Sequence, residues 1–405
     1  MTAPVSAISE PASHALTIFI VEGEESGDRL GAPLIRALRQ RCGPDARFIG
    51  VGGHDMASEG IQNLFPIDEL AIVGLAAIPR RLPAIWRRIR QTADAVIAAK
   101  PDVLVIIDSP DFTHRVARRV RAASPSIPIV DYVSPSVWAW RPGRARRMRA
   151  YVDHVLALLP FEPEVHQRLG GPPCTYVGHP LAAQADTLRP NAAEAARRRA
   201  EPPVLLVFPG SRSGELRRML ADFAATVEKL RATVGALEVV VPVVPHLAAR
   251  IAEAVAGWPS RPRIVVEQDE KRAAFRVARA ALAKSGTVTL ELAIAGVPMV
   301  TAYKVSAVEA MLARRLIKVP SVILANLVLG ENVVPEFLQE DCTPGKLTEA
   351  LLPLLGETTE RRRQTDAFAR LDAIMEIGRA EPSDRAAEIV LAVARKSGLT
   401  SQIPE

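Results

Sequence analysis

The 405-residue chain is poor in cysteine, in aromatic residues and in long apolar runs. Its three cysteines, Cys42, Cys174 and Cys342, lie far apart with no CxxC spacing. That argues against a disulfide framework and a thiolate zinc site, and fits a reducing cytoplasm. The apolar runs are strand-length, well short of the roughly 20 residues that span a bilayer, so any membrane contact is expected to be peripheral. Residues 1–14 lack the basic start and apolar centre of a secretory signal and read as a disordered tail. Aromatic residues make up 4% of the chain and no basic stretch carries enough of them to stack on bases, so no nucleic-acid partner is expected. Missing motifs narrow the chemistry further. There is no G-x-x-x-x-G-K-S/T phosphate loop, no complete G-x-G-x-x-G fingerprint and no H-E-x-x-H pair. No D-x-D occurs either, so a diphosphate would be held without a carboxylate-bound metal, and neither metal nor cofactor is expected.

What is present is an ordinary globular composition, 48% hydrophobic and 24% charged, with a net charge of +6 that comes from arginine. Such an excess suits an anionic surface or phosphorylated substrates without choosing between them. The chain is too long for one typical core, so two domains are expected. Strand-like runs at Leu16–Val21, Phe48–Val51, Val103–Ile107, Ile127–Val133 and Val155–Leu159 alternate with amphipathic helical segments. Continuous rather than alternating apolarity marks parallel strands covered on both faces. Polar, Ala- and Arg-rich sequence then leads to Pro202-Pro203, and a second series follows: Val204–Phe208, Leu237–Val243, Ile264–Val266, Ala280–Ala283 and Met299–Ala302. Beyond Cys342 only helices are expected. The pattern predicts an α/β protein of two Rossmann-like domains facing a cleft: 15–182, a linker at 183–202, 203–345, and terminal helices at 346–405 that cross back or are exchanged in a dimer.

Candidate chemistry sits where strands end. Leu282-Ala-Lys-Ser-Gly-Thr-Val-Thr-Leu-Glu291 reads as strand, tight turn and helix start, and the Ser285-Gly286-Thr287 turn offers unpaired amides and a helix dipole to a phosphate. Glu291, about one turn on, suits a sugar diol; an ordinary Ser/Thr-capped connection is the plainer reading. Phe208-Pro-Gly-Ser-Arg-Ser-Gly-Glu215 likewise follows a strand, with Gly210 and Ser211 amides and the Arg212 guanidinium suited to a diphosphate. Val21-Glu-Gly-Glu-Glu-Ser-Gly-Asp28 is too acidic for a pyrophosphate and suits a hydroxyl-rich substrate, or else an acidic helix start. Asp108, just past the strongest strand, can face the cleft and take a proton from an attacking hydroxyl, or it can cap the next helix ahead of Pro110. Ser134-Pro-Ser-Val-Trp-Ala-Trp-Arg141 interleaves tryptophan with arginine; His179 reads as structural. Arg80, Arg81, Leu82, Ile85, Trp86, Arg87 and Ile89 form a basic, apolar helical stretch that suits an anionic membrane surface or a solvated face.

In this order, Gly23-Glu24-x-Ser26-Gly27-Asp28, Ser134-Pro-Ser-Val-Trp-Ala-Trp-Arg141, Leu159-Pro-Phe-Glu162, Gly178-His-Pro-Leu181, Pro209-Gly-Ser-Arg212, Ser285-Gly-Thr287 with Glu291, and Asn326-Leu with Val334-Pro-Glu336 resemble the lipid-A-disaccharide synthases, two-domain GT-B glycosyltransferases. The likeness runs from about Leu16 to the terminal helices. It departs from the family at Glu22, Ala77, Ala183 and Ala325. The resemblance implies inverting transfer of diacylglucosamine from UDP-diacylglucosamine to diacylglucosamine 1-phosphate, giving a β-1,6 disaccharide 1-phosphate and UDP. It implies that Asp108 is the base and that Arg212 and the Ser285-Gly286-Thr287 amides meet the charge on departing UDP. Glu291 and Asn326 would hold the nucleoside, while Glu24 and Ser26 line the sugar cleft. It also implies a homodimer through the C-terminal helices and a place on the inner face of the cytoplasmic membrane. Another GT-B enzyme on a UDP-sugar, such as an epimerase or a transferase to a soluble acceptor, and a non-catalytic sugar-nucleotide binder are the alternatives; Asp108 and Arg212 speak against the last.

Overall fold

The computed structural model describes residues 15–70, 78–258, 261–306, 309–311 and 319–400. The expected tail at 1–14 and the family departure at Ala77 lie outside the described residues. Near-continuous apolar runs form the strands. In the first sheet these are β1 (Thr17–Val21), β2 (Arg47–Val51), β3 (Gln62–Asn63), β4 (Val103–Ile107), β5 (Ile129–Tyr132), β6 (His154–Ala157) and β7 (Cys174–Tyr176). They pair in parallel in the order 3-2-1-4-5-6-7. Every residue of β1 and β4 is buried, as two-sided helix cover requires.

The second sheet holds β8 (Val204–Phe208), β9 (Glu238–Pro242), β10 (Arg263–Val265), β11 (Ala280–Lys284), β12 (Met299–Tyr303) and β13 (Glu336–Leu338). Its parallel order is 10-9-8-11-12-13. In each sheet the order reverses once, between β1 and β4 and between β8 and β11. The crevice outside the carboxyl ends of such a pair is where open α/β sheets bind ligands. The strands β3, β7 and β13 escape sequence reading because each is an edge or near-edge strand of two or three residues without an apolar run.

The segment 183–202, expected as a linker, contains short helices fastened to the second domain. Arg198 donates to the carbonyls of Phe275, Ala295 and Gly296, and Arg189 donates to that of Ile294. Arg279, only 4% exposed, caps the adjoining edge by donating to the carbonyls of Arg198, Ala200 and Leu355. Helices Pro344–Leu355 and Thr359–Ala369 also pack on the second domain, through Leu347, Leu351, Leu354 and Phe368. Among the described residues the last helix, Pro382–Thr400, packs on the first domain, and just before it the Met375 carbonyl accepts from the Tyr176 hydroxyl at 2.9 Å. There Ala386, Val390 and Leu391 join the core beside Leu34 and Leu38, and Arg41 pairs with Asp384 at 2.7 Å. One apolar cluster also bridges the domains, with Leu159, Trp138 and Phe161 of the first meeting residues of the second.

Candidate active site

The acidic loop after β1 and the Asp108 loop after β4 meet at the first reversal. Gly23 is required there, because a Cβ would sit 2.9 Å from the Cβ of Ser109. Glu24 and Ser26 are exposed, and the Ser26 hydroxyl donates to Asp108 Oδ2 at 2.9 Å. The sequence reading left Asp108 between helix cap and catalytic carboxylate. In the structure the helix begins only at Thr113 with no side-chain cap, while Asp108 Oδ1 accepts from the Ser109 amide at 2.8 Å. Asp108 is therefore half-buried at the crevice and caps no helix. Its φ of 49° and that of Ser109, 43°, put two consecutive non-glycine residues in the left-handed region. Strain of this kind persists where surroundings over-determine it, and the Thr113 hydroxyl holds the Asp108 carbonyl at 2.6 Å.

Asp28, although in the acidic motif, is structural. It is buried and accepts from the Gly53, Asp55 and Met56 amides, which ties the loop after β2 to the helix after β1. Glu22 is fully buried, and its Oε1 has no hydrogen-bond partner among the described residues. Burial, then the negative charge of Asp28, push its carboxyl up to about 8. The neutral acid is thus the folded form at low pH. The folded pKa lies above the usual carboxylate value, so this contribution to stability is complete below about pH 4.5 and is lost as pH rises towards 8. Glu22→Gln removes the dependence. Relative to the parent, the variant should gain stability progressively from pH 5 to pH 8, by at most about 1.4 kcal/mol per pH unit. Thermal unfolding across that range checks this, and a pH-independent difference in Tm would contradict it.

At the second reversal the loop after β8 and the turn after β11 are joined by a pair the sequence reading did not single out. Lys284, the last residue of β11, lies 3.1 Å from Glu215 Oε1, and Glu215 Oε2 accepts from the Ser211 and Arg212 amides at 3.0 and 3.3 Å. Burial pushes the Glu215 carboxyl up, but Lys284 and the Ser211 amide outweigh it and hold the group below the usual range. Gly210, with φ of 121°, is needed because a Cβ would meet Glu215 Oε2 at 2.6 Å. The Ser211 amide, expected together with that of Gly210 to bind an anion, is thus already taken by a carboxylate, as is the Arg212 amide. What the loop presents instead is the Arg212 side chain, 80% exposed. The amides of Gly286 and Thr287 have no intramolecular partner among the described residues, and the buried Ser285 hydroxyl is likewise unpartnered. The helix that follows, Val288–Ile294, has only seven residues, so these amides and the two cations carry more of the field than its dipole does.

Glu291 is half-buried beyond this turn; burial pushes its carboxyl up, with Lys271 opposing. Asn326 does not stand free for a nucleotide. It is 2% exposed, accepts from the Val333 and Val334 amides, and donates to Val334 O and Ser321 Oγ. Its full set of partners makes it the organiser of the 321–336 segment rather than a ligand-facing amide. His179 caps its own short helix through Nδ1, and burial lowers its pKa to about 4. The basic helix spans Ile78–Ala99; the Arg80 and Arg81 side chains lie outside the described residues. Leu82 and Trp86 are each 45% exposed and Arg87 is exposed, but Ile85 packs partly against the core and Ile89 is buried within it. The lipid-facing expectation for Ile89 is therefore corrected: on the helical repeat it falls on the sheet side. No helix among the described residues is long and apolar enough to cross a membrane.

Comparison with known proteins gives the family. The model for lipid-A-disaccharide synthetase matches residues 18–390. The chain belongs to the lipid-A-disaccharide synthase family. The lipid-A-disaccharide synthase of Nitrobacter winogradskyi is 64% identical over 95% of this chain and 98% of its own length. That of Rhodospirillum centenum is 46% identical over 94% and 95%. Among solved structures, the UDP-GlcNAc 2-epimerase of Neisseria meningitidis bound to UDP-GlcNAc superposes with a TM-score of 0.60 at 13% identity, over 94% of this chain and all of that one. A calicheamicin glycosyltransferase gives 0.57 at 16%, over 95% and 99%. At such identities these show the fold alone, the two-domain α/β arrangement expected from the strand pattern. Within this lipid-A-disaccharide synthase family chain, the residues that sequence reading passed over, Glu215 and Lys284, signal themselves only weakly. One ends the S-R-S-G-E run and the other precedes the Ser-Gly turn, and neither type is diagnostic until the two strands are neighbours.

Proposed function

We propose that the two crevices form one glycosyl-transfer site, with the sugar acceptor held at the β1/β4 edge and UDP at the β8/β11 edge. As a member of the lipid-A-disaccharide synthases the chain is a glycosyltransferase of lipid A biosynthesis, joining a UDP-linked diacylglucosamine to diacylglucosamine 1-phosphate. Asp108 removes the proton from the acceptor 6-hydroxyl, and that oxygen attacks the donor anomeric carbon from the face opposite UDP. The bond from carbon to the β-phosphate oxygen breaks as the new one forms, so the anomeric centre inverts and UDP leaves with the bonding pair. Ser26 holds the Asp108 carboxylate in place, and Glu24 lines the sugar. Arg212, Lys284 and the Gly286 and Thr287 amides meet the charge on the diphosphate, the usual way a site lowers such a barrier. Glu291 holds the ribose. The observation that carries these roles is the strained Asp108 on its Ser26 hydrogen bond at one reversal, with unpaired amides and an exposed arginine at the other.

The full chain, given UDP-diacylglucosamine and diacylglucosamine 1-phosphate, is expected to release UDP and form a disaccharide 1-phosphate in equal amounts. UDP release without a disaccharide would sink the transfer reading. The exposed Leu82, Trp86 and Arg87 support seating at an anionic membrane surface on the cytoplasmic side, where both acylated substrates reside. Flotation with anionic vesicles that ignores salt and Trp86→Asp would refute it. Pairing of two chains through helices 344–400 is the corresponding proposal for assembly, read out by sedimentation.

A further inference from the structure

Beside the β1/β4 crevice lies a second hollow, of about 460 Å³, of whose lining the roles above use only Trp86. Its lining includes Arg115, Arg118, Arg119, Arg141, Arg144 and Arg147, with Trp86 on one side. Six guanidiniums around one cavity repel one another, and such a cluster ordinarily has interspersed carboxylates. Here, among the described residues, the nearest counter-charge to any of them is Asp111, 3.9 Å from Arg144 and itself exposed. Three of the cations lie over aromatic faces instead. Arg115 stacks on Trp86 at 5.0 Å, Arg118 on Tyr151 at 4.8 Å, and Arg141 on Trp140 at 4.3 Å. Such contacts leave most guanidinium N–H groups free, although Arg118 gives one to the Tyr151 hydroxyl at 3.3 Å, and free paired N–H groups are what receive phosphate oxygens in pairs. Behind them His114 is buried, its Nδ1 hydrogen-bonded to the Tyr151 hydroxyl and its Nε2 3.2 Å from Asp131 Oδ2.

The position is as informative as the charge. Pro110 and Asp111 form part of the rim, and they lie two and three residues after Asp108 in sequence. A ligand whose hydroxyl reaches Asp108 can therefore extend a neighbouring substituent towards the arginines. On a hexose, carbons 1 and 5 flank the ring oxygen, so a 1-phosphate and a 6-hydroxyl project from the two corners on either side of that oxygen, along one edge of the ring.

We propose that this arginine-lined hollow binds the phosphate monoester of the acceptor and so sets the requirement for a 1-phosphorylated sugar. The inference rests on the reading that the acceptor hydroxyl lies at Asp108. A phosphate monoester brings about two negative charges and three acceptor oxygens; a lipid headgroup phosphate shares that chemistry, and the test separates them.

Full-length Arg119→Gln and Arg147→Gln alter exposed side chains and should fold like the parent. Each is assayed in neutral-detergent micelles free of anionic lipid. The KM for the acyl sugar 1-phosphate is expected to rise about 10–100-fold, with KM for the UDP donor unmoved. Glucosamine 1-phosphate is expected to inhibit the parent competitively against the acceptor, and to lose that effect in the variants. The lysine replacements should recover part of both. An acceptor KM within twofold of the parent overturns the proposal. So does loss of binding to phosphatidylglycerol vesicles with acceptor KM in micelles unchanged, which assigns the hollow to headgroups. If the parent itself forms no disaccharide, it is the transfer reading that has failed, not this one.

Discussion

Asp108→Asn is expected to lower kcat by about 10²–10⁴-fold while UDP binds as before. Asparagine keeps the size and can still accept from Ser26, so the backbone held at φ of 49° need not move. What it loses is basicity. The substitution therefore separates positioning from proton transfer, which Asp108→Ala would not. Single-turnover rates report the chemical step and calorimetry reports UDP affinity. A variant turning over within threefold of the parent would remove Asp108 from the role of base and shift attention to Glu24, the exposed carboxylate two residues before Ser26.

Arg212 and Lys284 should both matter to UDP, but in distinguishable ways. The Arg212 side chain is 80% exposed and its one ion pair, with Glu215 at 3.5 Å, is long. Arg212→Gln should weaken UDP binding by about 10–100-fold, the value of charge-assisted hydrogen bonds to a diphosphate, with the melting temperature unchanged. Lys284→Met takes away a cation and also strands the buried Glu215 carboxylate, whose partner it is at 3.1 Å. That variant should lose UDP affinity and also about 3–5 kcal/mol of stability. Equal melting temperatures for the two variants would mean that Lys284 is not what holds Glu215 ionised. An unchanged UDP affinity in Arg212→Gln would move the diphosphate away from this loop.

The comparison of these two residues shows where sequence reading stops. Arg212 was legible because a lone arginine in a glycine-containing turn after a buried strand has few structural uses. Lys284 ends an apolar strand and Glu215 begins a helix, ordinary places for either, and their relation exists only because β8 and β11 are neighbours. Asn326 shows the converse. Its motif was legible, yet its four hydrogen bonds are spent within the 321–336 segment, which no local pattern reveals. For Ile89 the amphipathic stripe was correctly seen, but which part of it met the sheet depended on the rotation of the helix about its axis.

The sequence by itself determined the fold class, the alternation of buried parallel strands with helices, and the family, because each is written in local periodicity or in motifs of adjacent residues. It also singled out the candidate ligand loops, since they follow strands. Only the tertiary structure decided which loops meet. The strand orders 3-2-1-4-5-6-7 and 10-9-8-11-12-13 bring β1 beside β4 and β8 beside β11, across about 80 and about 70 residues of intervening chain respectively. The first contact turned Asp108 from a possible helix cap into a carboxylate held by Ser26, and the pairing of β4 with β5 gathered six arginines from two separate segments around one hollow. Strand order follows from how helices and side chains pack over long sequence separations, and no short-range pattern encodes it.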